Sequence, residues 1–188
     1  MSVASTTVFQ TRWATTDDLP ALKTLMKRAI DALQVGLLSP EQIAASHAIM
    51  GLDTQLVEDG TYLLAECNGV IAGGGGWSKR ATLYGGDHSR DLRDPRLLDP
   101  TRDPAKIRAM YTDPDFARQG VGRLILQGCE EAAAQAGFGS VELMATLSGE
   151  RLYTPSGYKL VERVDAVADG ITIPLIKMRK RFESQTVS

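Results

Sequence analysis

Where one strand-like run passes into a helix, the sequence reads Arg118-Gln119-Gly120-Val121-Gly122-Arg123. The first turn of a helix carries N–H groups with no intrahelical acceptor. The helix dipole adds positive potential at that end, and glycine lets phosphate oxygens come close to the backbone. Arg118 and Arg123 bring guanidinium groups suited to the same guest. The chemistry implied is the binding of an anion, and a pyrophosphate fits best. A tight strand-to-helix turn without a ligand asks for glycines too, so these residues alone do not choose between the two.

The elements around that turn follow from periodicity. Ile107, Ala109 and Tyr111 alternate with Arg108, Met110 and Thr112, which predicts a strand. Asp113-Pro114 ends it, since proline brings no ladder donor. Val121, Leu124, Ile125, Cys129, Ala132 and Ala136 recur at helical spacing, and Gly137 stops the helix.

Upstream, Val8 to Trp13 predicts a strand and Thr16-Asp17-Asp18 the cap of a helix striped by Leu19, Leu22, Leu25, Met26, Ala29, Ile30 and Leu33. Ser39-Pro40 opens a second helix, expected from Pro40 to about Met50. Asn68-Gly69 joins strand runs Thr61–Cys67 and Val70–Trp77 as a hairpin. Downstream, Val141 to Thr146 predicts a strand, Ser148 to Tyr153 a short helix or turn stopped by Pro155. Tyr158–Val164 and Ile171–Met178 form a closing pair through Asp169-Gly170. Pro174 inside the last run points to an edge strand or a bulge. This order predicts an α/β (α+β mixed) fold: a central mixed sheet flanked by helices on both sides. No linker or repeat divides it, so residues 1–188 are expected to form one domain with a core of about 8–181 and a polar tail at 183–188.

Strand, Asp113-Pro114-Asp115, aromatic Phe116, then Ala117-Arg118-Gln119-Gly120-Val121-Gly122-Arg123-Leu124 resembles the acetyl-CoA motif of the GNAT superfamily of N-acetyltransferases, Q/R-x-x-G-x-G/A. Ala117 stands at its first place, where the family has Gln or Arg. A second family block, Tyr followed four residues later by Gly and an aromatic, is matched by Tyr153-Thr154-Pro155-Ser156-Gly157-Tyr158. The resemblance is firm from Ile107 to Leu160 and extends over roughly Thr11 to Arg181. It implies a mostly antiparallel sheet, with acetyl-CoA as co-substrate in a splay between the strand ending at Thr112 and the one starting near Val141. It further implies that Met110, Tyr111 and Thr112 pair with the pantetheine arm through their backbone, that Arg118 to Arg123 hold the pyrophosphate, and that Tyr153 is the general acid. An amine acceptor and a homodimer are compatible with it. The base stays open: Glu66, Glu142, a carboxylate of the long loop, or a water chain. A rival of another class is an acyl-CoA-binding sensor or partner subunit with the same fold and no turnover.

The formal net charge of −2 argues against a nucleic-acid-binding protein. No apolar run approaches the ~20 residues of a membrane span, and Met1 to Thr7 lacks the features of a secretory signal. Cys67 and Cys129 make no metal or redox spacing, so buried thiols in a reducing cytoplasm are expected and no metal is. Asp31, Gln34, Glu41 and His47 are the helix residues whose polar groups are candidates to face the acceptor. The run Gly73-Gly74-Gly75-Gly76 is read as a bare strand end beside the acceptor cleft. Residues 84–103 show no periodicity and are expected to be a long loop, either a lid or a solvated insertion, with His88 on the surface.

Overall fold

The computed structural model describes residues 7–183. The expectations for the extreme N-terminus and for the polar tail beyond Glu183 lie outside the described residues. The strands are β1 (Gln10–Trp13), β2 (Tyr62–Cys67), β3 (Val70–Ser78), β4 (Ala105–Thr112), β5 (Ser140–Ala145), β6 (Lys159–Ala168) and β7 (Ile171–Arg181). They form one sheet in the order β1-β2-β3-β4-β5-β7-β6. All neighbours are antiparallel except β4 and β5, which run parallel and pair only at Ala105↔Val141 and Lys106↔Glu142. Beyond that two-residue seam the strands part. Five helices accompany the sheet: α1 (Leu19–Leu33), α2 (Pro40–Ser46), α3 (Thr54–Glu58), α4 (Val121–Gln135) and α5 (Glu150–Tyr153).

Two amphipathic helices sandwich the sheet. The α1 stripe of Leu22, Leu25, Met26, Ala29 and Ile30 packs on one face with Leu56, Tyr62, Leu64 and Tyr111. On the opposite face α4 buries Val121, Ile125, Leu126, Cys129 and Ala133 against Leu63, Ala65, Ile107, Val141 and Leu143. Each fully buried Leu or Ile contributes about 1.5–3 kcal/mol. The α4 stripe is rotated from the one expected: Leu126 and Ala133 enter the core, while Ala136 is exposed.

The four consecutive glycines are not a strand end beside a cleft. They occupy the buried middle of β3. A Cβ on Gly73 would lie 2.6 Å from Val121 Cγ1 and 2.9 Å from the carbonyl oxygen of Tyr111. On the other face, a Cβ on Gly74 would meet Tyr62 at 2.6 Å. Bare backbone is what lets α4 on one side and Tyr62 on the other approach the sheet so closely. Gly73→Val should therefore lower stability by roughly 2–3 kcal/mol through overpacking. In thermal melts that is a fall in Tm of about 4–12 °C for a chain of this size; an unchanged Tm would contradict the packing.

Strand β4 also departs from simple alternation. Gly74 pairs with Tyr111 and Gly76 with Arg108, so Ala109 and Met110 together oppose Gly75. Ala109 takes a positive φ of 51° and its carbonyl accepts a hydrogen bond from Tyr62 Oη at 2.8 Å. This bulge turns the strand over: Ile107 and Met110 face α4, whereas Ala109 and Tyr111 face α1.

Smaller expectations fare variously. Both hairpin turns have the expected positive φ pairs, 50° and 77° at Asn68-Gly69, 52° and 74° at Asp169-Gly170. The second helix stops at Ser46, short of Met50, and α3 was not foreseen. Pro174 lies in an interior strand rather than at an edge, but in the part of β7 that β5 does not reach, since that ladder ends at Ala145↔Ile176. There α2 covers the strand, with Gln42 Nε2 donating to Thr172 O at 2.9 Å. The 84–103 segment runs back along residues 79–82, tied by Leu98 N to Lys79 O, Ala81 N to Arg96 O and Thr82 N to Asp94 O. It carries a 3₁₀ turn at Arg90–Leu92, and Asp87 Oδ1 accepts from Thr54 N at 2.9 Å. It is a fixed flap, of which only Tyr84 and Gly85 reach the cleft described next. Among the described residues no helix is long and apolar enough to cross a membrane.

Candidate active site

Where β4 and β5 part, a cleft of about 760 Å³ opens between α1, α4, α5 and the strand ends. Its floor is the bulged end of β4, whose Met110, Tyr111 and Thr112 all line it. Since β5 pairs only with Ala105 and Lys106, the edge of β4 facing the opening has no strand partner from Ile107 onward among the described residues. A ligand with amide groups can add to it as a strand would.

One end of the cleft is the turn before α4. Asp113 is buried, accepts from Asp115 N at 2.9 Å and is gripped by Arg28 Nη1 at 2.6 Å, which ties the turn to α1. Arg118 (φ 62°) and Gly120 (φ 85°) are both left-handed. Glycine adopts that conformation freely, whereas for arginine it costs about 1–2 kcal/mol. The curl leaves the first helical bond to Leu124 N, which donates to Gly120 O at 3.0 Å. Among the described residues, the backbone N–H groups of 118–123 have no backbone acceptor. Ala117, Arg118, Gly120, Val121, Gly122 and Arg123 line the cleft; Gln119 does not, its side chain being exposed and donating to Asp115 O at 3.3 Å. Backbone donors, a helix dipole and two guanidiniums meet there, a fit for pyrophosphate.

Tyr153, at the end of α5, lines the same cleft. Its ring stands edge-on to Tyr158, 5.6 Å between centroids. Tyr158 Oη in turn donates to Glu130 Oε1 at 2.8 Å, and Lys180 Nζ reaches Glu130 Oε2 at 2.7 Å. A chain from α4 and β7 thus fixes the ring. Burial, with smaller electrostatic contributions from Tyr111 and Cys129, pushes the Tyr153 hydroxyl well above its ordinary range, so it remains a proton donor at neutral pH. Tyr111, pushed up to about 12 chiefly by burial, accepts from Gly51 N at 2.9 Å instead.

The named candidates for a base are elsewhere. Glu66 accepts from Arg12 Nη2 at 2.7 Å on an exposed surface. Glu142 lies buried at the β4–β5 seam with Lys106 at 2.8 Å, Lys177 at 3.8 Å and Arg179 in direct contact. Burial raises its pKa, but the hydrogen bonds of Lys106 and Arg179 and the charge of Lys177 outweigh this and hold it below the usual carboxylate value. A carboxylate with a depressed folded pKa stabilises the fold above its unfolded pKa, and that contribution is lost as pH falls through the folded value. Glu142→Gln should cost roughly 1–3 kcal/mol at neutral pH by leaving buried Lys106 without its counter-charge, and should flatten the loss of urea resistance below about pH 4.5. Stability unchanged at both pH values would show the cluster to be incidental.

Among the described residues, no aspartate or glutamate lines the cleft. Of the four polar helix residues proposed to face an acceptor only Gln34 does so; Asp31 is held outside by Lys27 Nζ at 2.6 Å and by His47 Nε2 at 2.7 Å, and Glu41 is exposed. His88 is exposed, with Nε2 2.6 Å from His47 O. Both cysteines are unpaired, and among the described residues no His/Cys/Asp/Glu group is built for a metal. Residues that sequence reasoning did not single out complete the lining: Arg108, Arg151, Met144, Leu152 and Leu175. Arg108 carried a signal, a charge in the middle of an apolar strand.

Residues 98–182 match the family model described as Acetyltransferase (GNAT) domain. No curated protein matches the sequence significantly. Among solved structures, the chain is similar to a GCN5-related N-acetyltransferase from Rhodopseudomonas palustris, at 19% identity over 97% of this chain and 99% of that one, with a TM-score of 0.67. It is also similar to yncA from Salmonella typhimurium, solved with its cofactor acetyl-CoA (17%, 95% and 96%, TM-score 0.63). PaiA N-acetyltransferase from Thermoplasma acidophilum, in complex with coenzyme A, is a third (14%, 93% and 99%, TM-score 0.62). At such identities the structural likeness carries the fold. The match to the GNAT acetyltransferase domain spans the elements from β4 through α4 and α5 to β7, and the chain as a whole has the fold of the solved GNAT N-acetyltransferase to which it is similar.

Proposed function

We propose that this chain acts as a single acetyltransferase domain, moving an acetyl group from acetyl-CoA to an amine by direct attack in a ternary complex. One observation carries the proposal: among the described residues, Arg118 and residues 120–123, whose N–H groups have no backbone acceptor, and a proton-holding Tyr153 line the same cleft, beside a strand edge with no strand partner. The solved neighbours with coenzyme A and acetyl-CoA support the choice of ligand.

In this reading the N–H groups and guanidiniums of 118–123 bind the pyrophosphate, and Met110, Tyr111 and Thr112 pair with the pantetheine arm. Acetyl-CoA supplies the acyl group as a thioester. The acceptor nitrogen forms a bond to the carbonyl carbon while the C–S bond breaks. At the Ala109-Met110 bulge the β3–β4 register shifts, and in this reading a backbone N–H of β4 there stabilises the developing oxyanion. Tyr153 gives its proton to the departing sulfur. Among the described residues no carboxylate lines the cleft, and in this reading the amine's proton leaves to water. Holding the two reactants together supplies much of the rate, roughly 7–11 kcal/mol at best.

The test is a calorimetric titration with acetyl-CoA followed by a thiol-release assay across an amine panel. Micromolar binding with acceptor-dependent thiol release is expected. Binding without release for any amine would favour an acyl-CoA sensor, and no binding at all would remove both readings.

A further inference from the structure

The acceptor end of the cleft has its own chemistry. Apolar Leu33, Ile49, Met50 and Leu83 line the cleft, as does the charged Arg108. Arg108 is 4% exposed. Its Nη2 donates to Gly85 O at 2.9 Å and contacts Asp53. Its Nε and Nη1 are buried with no hydrogen-bond partner among the described residues.

Nor is the charge balanced. Arg93, from the flap, shares the same carboxylate: Nη1 lies 3.1 Å from Asp53 Oδ2, and Nη2 donates to Asp53 Oδ1 at 3.2 Å. Two guanidiniums thus stand against one carboxylate, with Arg108 buried, while Arg93 is partly exposed and also donates to Gln55 Oε1 at 3.1 Å. An uncompensated buried charge is costly, and unmade charged hydrogen bonds more so. Burial pushes the Arg108 pKa down, and Arg93 adds to the fall against the opposing pull of Asp53. Arginine still holds its proton. Its two unmet N–H donors suit an anion.

We infer that the acceptor is a small amine that also carries a carboxylate and an apolar side chain, an apolar α-amino acid in kind, and that Arg108 holds the carboxylate. Arg108 stands two residues before Met110 on β4, on the near side of the bulge. A carboxylate held there keeps an α-amine close to where the thioester carbonyl meets the strand. Those apolar residues take the side chain. Such a molecule is a zwitterion, so the positive cleft does not oppose its entry, whereas a polyamine would be repelled. The inference rests on the acetyl-transfer reading above.

The experiment compares L-leucine, L-methionine and L-phenylalanine with leucinamide and spermidine as acceptors, at saturating acetyl-CoA. It adds calorimetry of N-acetyl-L-leucine against N-acetyl-L-leucinamide in the presence of CoA. The amino acid is expected to exceed its amide by about 10-fold or more in kcat/KM, as a charged hydrogen-bond pair allows. N-acetyl-L-leucine should bind more tightly than its amide by a similar factor. Arg108→Gln should abolish both preferences, mainly through KM. Arg93 then remains to pair Asp53, so this variant is expected to fold, and its acetyl-CoA affinity checks that. Should it fail to fold, the wild-type comparison of acid and amide decides alone. Equal use of acid and amide, preference for spermidine, or a preference that survives Arg108→Gln would each overturn the inference while leaving acetyl transfer standing. Absence of acetyl-CoA binding by the wild type would overturn both.

Discussion

Gly122→Glu should weaken acetyl-CoA binding by roughly 1000-fold or more, since a like charge forced against bound phosphate costs several kcal/mol. Gly122 lies in the first turn of α4, and it lines the cleft. A Cβ there has Leu152 Cδ2 at 3.1 Å and Thr112 Oγ1 at 3.8 Å, so a side chain is tight but not impossible. Some cost is recovered because a helical glycine is about 1 kcal/mol worse than alanine. The fold should therefore survive, and Gly122→Ala should keep binding within about 10-fold, as an uncharged control that adds only contact. Calorimetry on the three proteins separates charge from bulk. Equal affinity in wild type and the glutamate variant would mean that the pyrophosphate lies elsewhere.

Tyr153→Phe should lower kcat by roughly 10²–10⁴-fold, the usual worth of a positioned acid, with acetyl-CoA affinity nearly unchanged. Phenylalanine keeps the ring that packs edge-on against Tyr158, so the loss isolates the hydroxyl. Because burial raises the Tyr153 pKa, the wild-type kcat should show no alkaline fall from deprotonation of this group up to about pH 10. A variant that retains kcat within about threefold would assign the proton to water and leave Tyr153 as a wall, since that loss is below what general acids supply.

What the sequence made legible is what is local. Gly120 must be left-handed to start α4, and the Asn68-Gly69 and Asp169-Gly170 turns need their positive φ pairs, so these residues announce the backbone around them. The glycine turn was found through spacing and Tyr153 through the family block it resembles, and they line one cleft. The rest depends on partners distant in sequence. Four glycines in a strand look alike whether a ligand or a helix lies on them, and only the approach of Val121 and Tyr62 tells which. The bulge at Ala109 breaks an alternation that reads as regular, because no glycine or proline marks it. Glu142 looked like a base and proves to be the anion of a cation cluster assembled from β4 and β7. Arg108 meets Asp53 across 55 positions through α3, a helix of one turn too short for periodicity to reveal.

The two-residue seam between β4 and β5 has a mechanical consequence. It makes the sheet two leaves, β1 to β4 and β5 to β6, joined within the sheet by a narrow seam and Lys106–Glu142 and held on one face by α4. A molecule that pairs with the bare edge of β4 while touching the β5 side acts as a missing strand and rivets the leaves together. Folding and binding then share one free energy: at a hundred times its Kd, such a guest adds about 2.7 kcal/mol to the stability of the chain. The supply of that guest thereby becomes a determinant of how long the protein resists local opening and proteolysis, apart from any role in turnover.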